Sequence, residues 1–113
     1  MHEMSIAESI VQIAEEAAAR DGDARVKTVF VEIGALAGVE TEALRFCWEA
    51  VTREGRAAGA VLDISQTPGR AWCLQCRDTV SLPAPFEPCP VCGSYQLQVT
   101  GGTEMRVAEI EVE

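Results

Sequence analysis

The chain has 113 residues, 48% of them hydrophobic, with nine Lys and Arg against eighteen Asp and Glu, for a formal charge of −9. That length allows one ordinary core or two small lobes and excludes a large enzyme built around a deep substrate cleft. The acidic balance argues against nucleic acid and anionic lipid as partners, because both require a basic surface, and a single histidine with a single lysine removes much of the usual catalytic repertoire.

The first ten residues carry two glutamates and no Lys or Arg, unlike a secretory signal, and no stretch reaches the roughly 18 apolar residues of a membrane span. These features predict a cytoplasmic protein whose five cysteines are thiols or metal ligands rather than disulfides. Residues 4–20 then set Ile6, Ile10, Ile13, Ala14 and Ala17 on one stripe, with Ala7, Val11 and Ala18 alongside and Glu8, Glu15 and Glu16 opposite. That spacing predicts an amphipathic helix stopping near Asp21-Gly22. Residues 25–33 are β-branched, with Val29, Val31 and Ile33 on one face of a strand. Residues 41–54 place Leu44, Cys47, Trp48 and Val51 on a second helical stripe, and 60–66 read as a second strand. From Ala108 the tail alternates Ala108, Ile110 and Val112 with Glu109, Glu111 and Glu113, the period of a strand with one buried face.

All five prolines and four of the five cysteines fall between Pro68 and Cys92, and this stretch is nearly neutral while the flanking segments are acidic. Thr67-Pro68-Gly69 and Gly101-Gly102 punctuate its ends. The expected fold is therefore α+β: two helices packed on a small three-stranded sheet, with an inserted zinc-ribbon-like lobe. Residues 1–66, completed by a C-terminal strand in 103–113, form one domain, and 67–102 form the other.

Cys73-Leu74-Gln75-Cys76 and Cys89-Pro90-Val91-Cys92 are two C-x-x-C units with twelve residues between them. Zn²⁺ takes four thiolates tetrahedrally, and Pro90 and Gly93 suit the tight turn that brings paired sulfurs to one ion. Two disulfides conflict with the compartment, and a thioredoxin-like pair needs one C-x-x-C at a helix start. The reading is a structural Cys₄ zinc site on Cys73, Cys76, Cys89 and Cys92, closed to hydrolytic chemistry because no coordination position is open. An insert this small draws much of its folding free energy from the metal.

The only histidine is His2. The terminal amine, a backbone amide and the imidazole Nδ1 can close fused chelate rings on one ion, an arrangement suited to Ni²⁺ or Cu²⁺, and Glu3 can add a carboxylate or a second amide. Equally, a histidine this close to a chain terminus can be a frayed, solvated residue. Spacing alone leaves both readings open.

Met1-His2-Glu3-Met4-Ser5 opening a helix, then Val31-Glu32-Ile33-Gly34-Ala35-Leu36, then Glu42-Ala43-Leu44-Arg45-Phe46 and the paired C-x-x-C units together resemble the HypA/HybF family of hydrogenase nickel-incorporation metallochaperones. The resemblance runs through essentially the whole chain. It implies transported Ni²⁺ on the Met1 amine, His2 and the backbone of His2 and Glu3, and structural Zn²⁺ on the four cysteines. It also implies that the protein is no enzyme and works with a nickel-insertion GTPase of the HypB type. The recipient it implies is the large subunit of [NiFe]-hydrogenase, some family members also serving urease. Consistent with needing such a partner, Lys27 follows Val26, so no G-x-x-x-x-G-K phosphate loop is present. Outside these motifs, Cys47 reads as a buried thiol, Trp48 and Trp72 as packing residues, Trp72 placed beside Cys73 where it can shield the zinc knuckle, and Glu8, Glu15, Glu16, Glu40, Glu42 and Glu49 as solvated surface.

Overall fold

The computed structural model describes residues 2–113. In chain order the elements are α1 (Glu3–Ala19), β1 (Val26–Gly34), α2 (Thr41–Val51), β2 (Val61–Thr67), β3 (Gly69–Cys73), β4 (Asp78–Leu82), β5 (Leu97–Gly101) and β6 (Met105–Val112). Two three-stranded sheets result, ordered β2-β1-β6 and β4-β3-β5. This is the expected α+β architecture of two helices with a small sheet, but the cysteine segment also contains a sheet of its own that no alternation in the sequence announced. Its inward positions on β3 are Gly69, Ala71 and Cys73, which a hydrophobic pattern does not register as a stripe.

The chain divides into two compact units. The first comprises Met1–Val31, Val39–Ile64 and Val107–Glu113; the second comprises Glu32–Gly38 and Ser65–Arg106.

In the first unit α1 packs on α2. The buried positions of α1 are Ala7, Ile10, Val11, Ala14 and Ala18. The buried stripe is therefore rotated from the expected one, and Ile13, expected within it, is 48% exposed. The rotation puts three alanines inward, and their small side chains let the helix axis approach its neighbours closely. Val29 and Val31 are buried as expected, as are Leu44 and Trp48 of α2; Ile33 is buried as expected too, within the segment of β1 that belongs to the second unit. At the start of α2 the Glu40 carboxylate accepts the Glu42 N–H at 3.3 Å, a negative charge on the positive end of the helix dipole. At its end the Thr52 hydroxyl donates to the Trp48 carbonyl at 2.7 Å. The Trp48 indole N–H donates to the Ala60 carbonyl at 2.8 Å, tying the helix to the segment that opens β2. Cys47 is half-buried rather than buried, since its neighbours on the helix, Leu44 and Trp48, take the inward positions.

In the second unit β3 is the central strand. It pairs antiparallel with β4 from Gly69↔Leu82 to Cys73↔Asp78 and with β5 from Arg70↔Gly101 to Cys73↔Leu97. Ala71, Cys73, Val80, Leu82 and Cys89 form its core, with Leu36, Cys76 and Leu97 packed against it. Leu36 reaches that core from the turn after β1, which is held by backbone bonds from Gly34 N–H to Glu104 O (2.8 Å), Ala35 N–H to Thr67 O (2.9 Å) and Leu36 N–H to Gly102 O (2.7 Å). Here the backbones approach so closely that a Cβ on Gly34 would stand 2.0 Å from the Gly102 carbonyl oxygen. Only glycine fits such an approach. Trp72 faces away from Cys73, because adjacent residues of a strand point to opposite faces; it does not cover the cysteines from the side expected.

Candidate metal centre

The first C-x-x-C unit is the turn of the β3–β4 hairpin. Cys73 ends β3 and is fully buried; Cys76 is half-buried three residues later. Arg77 turns the chain back with φ 55, and its N–H donates to the Cys73 carbonyl at 2.8 Å. The second unit precedes β5 and repeats the design. Cys89 is buried, Cys92 is exposed, and Gly93, at φ 78, donates its N–H to the Cys89 carbonyl at 2.9 Å. Each unit is thus a tight knuckle closed by one left-handed residue, with the first cysteine inward and the second nearer solvent.

The two knuckles face each other. Cys73 Sγ lies 3.6 Å from Cys92 Sγ, and Cys76 Sγ lies 3.9 Å from Cys89 Sγ. All four sulfurs stand within 4.8 Å of one another. Four thiolates at about 2.3 Å from a common tetrahedral centre have sulfurs about 3.8 Å apart, so the spacing is that of a cage around one ion. All five cysteines are thiols rather than disulfides.

The electrostatics of the cage point the same way. Backbone N–H bonds, first from Cys92, stabilise the Cys89 thiolate and bring its pKa down to about 7 against the opposing effect of burial. Cys76 moves the other way, to about 12, chiefly because its thiol is held by a hydrogen bond with Cys92, with burial and bonds to Cys73 and Cys89 adding to the shift. One thiolate forms easily here, but the last proton is retained: four converging sulfurs cannot all ionise without a cation between them. A soft or borderline divalent ion supplies that charge and displaces the protons.

At the other candidate site, His2 is exposed and stands at the N-cap of α1. Its side chain makes no capping bond, and its carbonyl accepts the first helical bond, from Ile6 N–H at 3.1 Å. The amides of His2 and Glu3 precede that bond, where helix N–H groups have no intrahelical partner. Glu3 is half-buried, and its carboxylate accepts the Glu40 N–H at 3.3 Å, a tether that sequence reading missed because the two residues are distant in the chain. Met1, expected among the nickel donors, lies outside the described residues.

The family described as "Hydrogenase/urease nickel incorporation, metallochaperone, hypA" matches residues 1–112. The chain belongs to the HypA family. Hydrogenase maturation factor HypA of Albidiferax ferrireducens is 58% identical, with both chains covered in full, and that of Azotobacter chroococcum mcd 1 is 60% identical over the same span. Among solved structures, the solution structure of the Ni metallochaperone HypA from Helicobacter pylori aligns with a TM-score of 0.66 at 26% identity, covering 98% of this chain and 97% of that one. HypA proteins are maturation factors that handle nickel, not catalysts. The four clustered cysteines of this HypA-family chain have the geometry to hold a metal ion, and no helix among the described residues is long and apolar enough to cross a membrane.

Proposed function

We propose that this protein carries Ni²⁺ at its N-terminus and, with a partner GTPase, delivers it in the cytoplasm to the large subunit of [NiFe]-hydrogenase. The nickel donors are the Met1 amine, the His2 imidazole and the backbone of His2 and Glu3. Cys73, Cys76, Cys89 and Cys92 hold a structural Zn²⁺. Residues 1–66 with 103–113 serve nickel, and 67–102 serve zinc.

One observation carries the nickel assignment: the only histidine of a HypA-family chain is exposed at the very start of α1, ahead of the first helical hydrogen bond. An imidazole and amides in that position can exchange ligands with solvent and with a receiving protein, which a carrier requires. The cysteine cage is the opposite kind of site. Four protein ligands close it, and the zinc there supplies folding free energy rather than reactivity.

Metal analysis and nickel titration of the wild type and His2→Ala test the assignment. The expected result is one tightly held zinc in both proteins and one exchangeable nickel lost in the variant. Acetylating the N-terminal amine should weaken nickel binding in the same way and leave zinc in place. Unchanged nickel binding in His2→Ala overturns the assignment.

A further inference from the structure

The core of the second unit is left open on one side. Next to the buried Leu82 runs a groove of about 340 Å³, lined by Leu82, Phe86, Glu87, Tyr95, Leu97 and Val99. Leu97 and Val99 of β5 pair with Cys73 and Ala71, so they lie on the same sheet face as the cysteine core. Yet Val99 is 52% exposed, Tyr95 73% and Phe86 96%. Two aromatic rings thus stand in solvent at the rim of an apolar trough. Scattered single apolar residues are ordinary on a surface, but a contiguous apolar patch marks an interaction site.

Phe86 is not exposed by slackness of the chain. Its φ of 67 places a bulky side chain in the left-handed region, which carries backbone strain. Pro83, Pro85 and Pro88 bracket it and fix φ on both sides. The segment is therefore held in one shape before any partner arrives, which lowers the ordering cost of binding.

Charge selects the occupant. Glu87 is the only charged residue lining the groove. A second copy docked groove to groove sets one Glu87 against another with no basic lining residue to offset them, and is disfavoured. We propose that this groove docks a segment of a partner protein in which a bulky aliphatic or aromatic side chain neighbours a Lys or Arg. The apolar side chain covers Leu97 and Val99 beside the Phe86 and Tyr95 rings, and the basic group pairs with Glu87. Aromatic anchors with a charged rim are the usual energetic centre of such contacts. This docking site is separate from the N-terminal nickel donors and does not depend on them.

The test is to pan a phage-displayed library of random peptides against the full-length protein and measure the best synthetic peptide by titration. Enriched sequences should pair a bulky apolar residue with Lys or Arg, and binding should weaken about tenfold or more in both Phe86→Ser and Glu87→Lys. Both positions are exposed, so zinc content and circular dichroism should be unchanged. A peptide with its basic residue replaced by Glu should regain affinity for Glu87→Lys. Enrichment of acidic peptides, or no enrichment, overturns the proposal, as does binding indifferent to both substitutions. So does a wild-type dimer in sedimentation that Phe86→Ser dissolves, because the occupant is then a second copy.

Discussion

Arg77 and Gly93 occupy equivalent places in the two cysteine knuckles, each sending its N–H back to the first cysteine of its pair. Both are left-handed, at φ 55 and φ 78. For an arginine that conformation costs about 1–2 kcal/mol from crowding of Cβ against the carbonyl, and glycine escapes it. The arginine side chain is exposed and forms no ion pair among the described residues. Arg77→Gly should therefore leave metal binding intact and raise stability by up to about 1 kcal/mol, the relief being partly offset by the freer unfolded chain. Gly93→Ala should do the reverse. A Cβ there meets nothing within 4 Å, so the loss of about 1–2 kcal/mol comes from the backbone alone. Denaturant melts of the metal-loaded variants decide both, and a destabilised Arg77→Gly refutes the argument. At this scale the four cysteines were legible because C-x-x-C is a spacing of chemistry. The need for a left-handed residue after each pair was visible at Gly93 and hidden at Arg77, since an arginine gives no sign of its φ.

Helix α1 shows what periodicity can and cannot resolve. Its existence and length were plain, but two overlapping stripes competed for the core. Glutamates on the far side fix the buried direction only to within a fraction of a turn, and packing against α2 chose the stripe with more alanine. Two substitutions separate the alternatives. Ile10 is 1% exposed, so Ile10→Ala empties packed volume and should cost about 2–5 kcal/mol. Ile13 is 48% exposed, and Ile13→Ala should cost under about 1 kcal/mol. Equal losses in thermal or urea unfolding would restore the stripe read from the sequence. The strands β3, β4 and β5 were harder still. Gly69 and Ala71 fill the buried positions of the central strand because backbone and side-chain atoms of Leu82 and Leu36 press against it, and residues chosen for smallness leave no hydrophobic period.

On the scale of the molecule, the two units divide the charge unevenly: fourteen of the eighteen acids and six of the nine bases belong to the first. A shift in composition falls at Pro68, near the start of the longer segment of the second unit at Ser65. It could not announce that Glu32–Gly38 joins the second unit, because that depends on Leu36 finding the cysteine core across a long stretch of chain. The units also differ in what folds them. The first buries Ile10, Val29, Val31 and Leu44 almost completely, whereas the second has a core of five buried residues, two of which are cysteines of the cage. Apolar burial can sustain the first; under the proposed zinc site the second draws on its ion, since four converging thiols without one stay largely protonated. Each unit contains one of the two tryptophans, Trp48 in the first and Trp72 in the second. A strong zinc chelator should therefore red-shift the emission of the wild-type protein, by taking Trp72 from 38% exposed to fully exposed. It should leave unchanged the emission of Trp72→Phe, in which Trp48 reports alone, still buried and bonded to the Ala60 carbonyl. Far-ultraviolet circular dichroism should retain its helical signal throughout. A chelator that shifts the emission of Trp72→Phe as much as that of the wild type would show that the cage sustains both units.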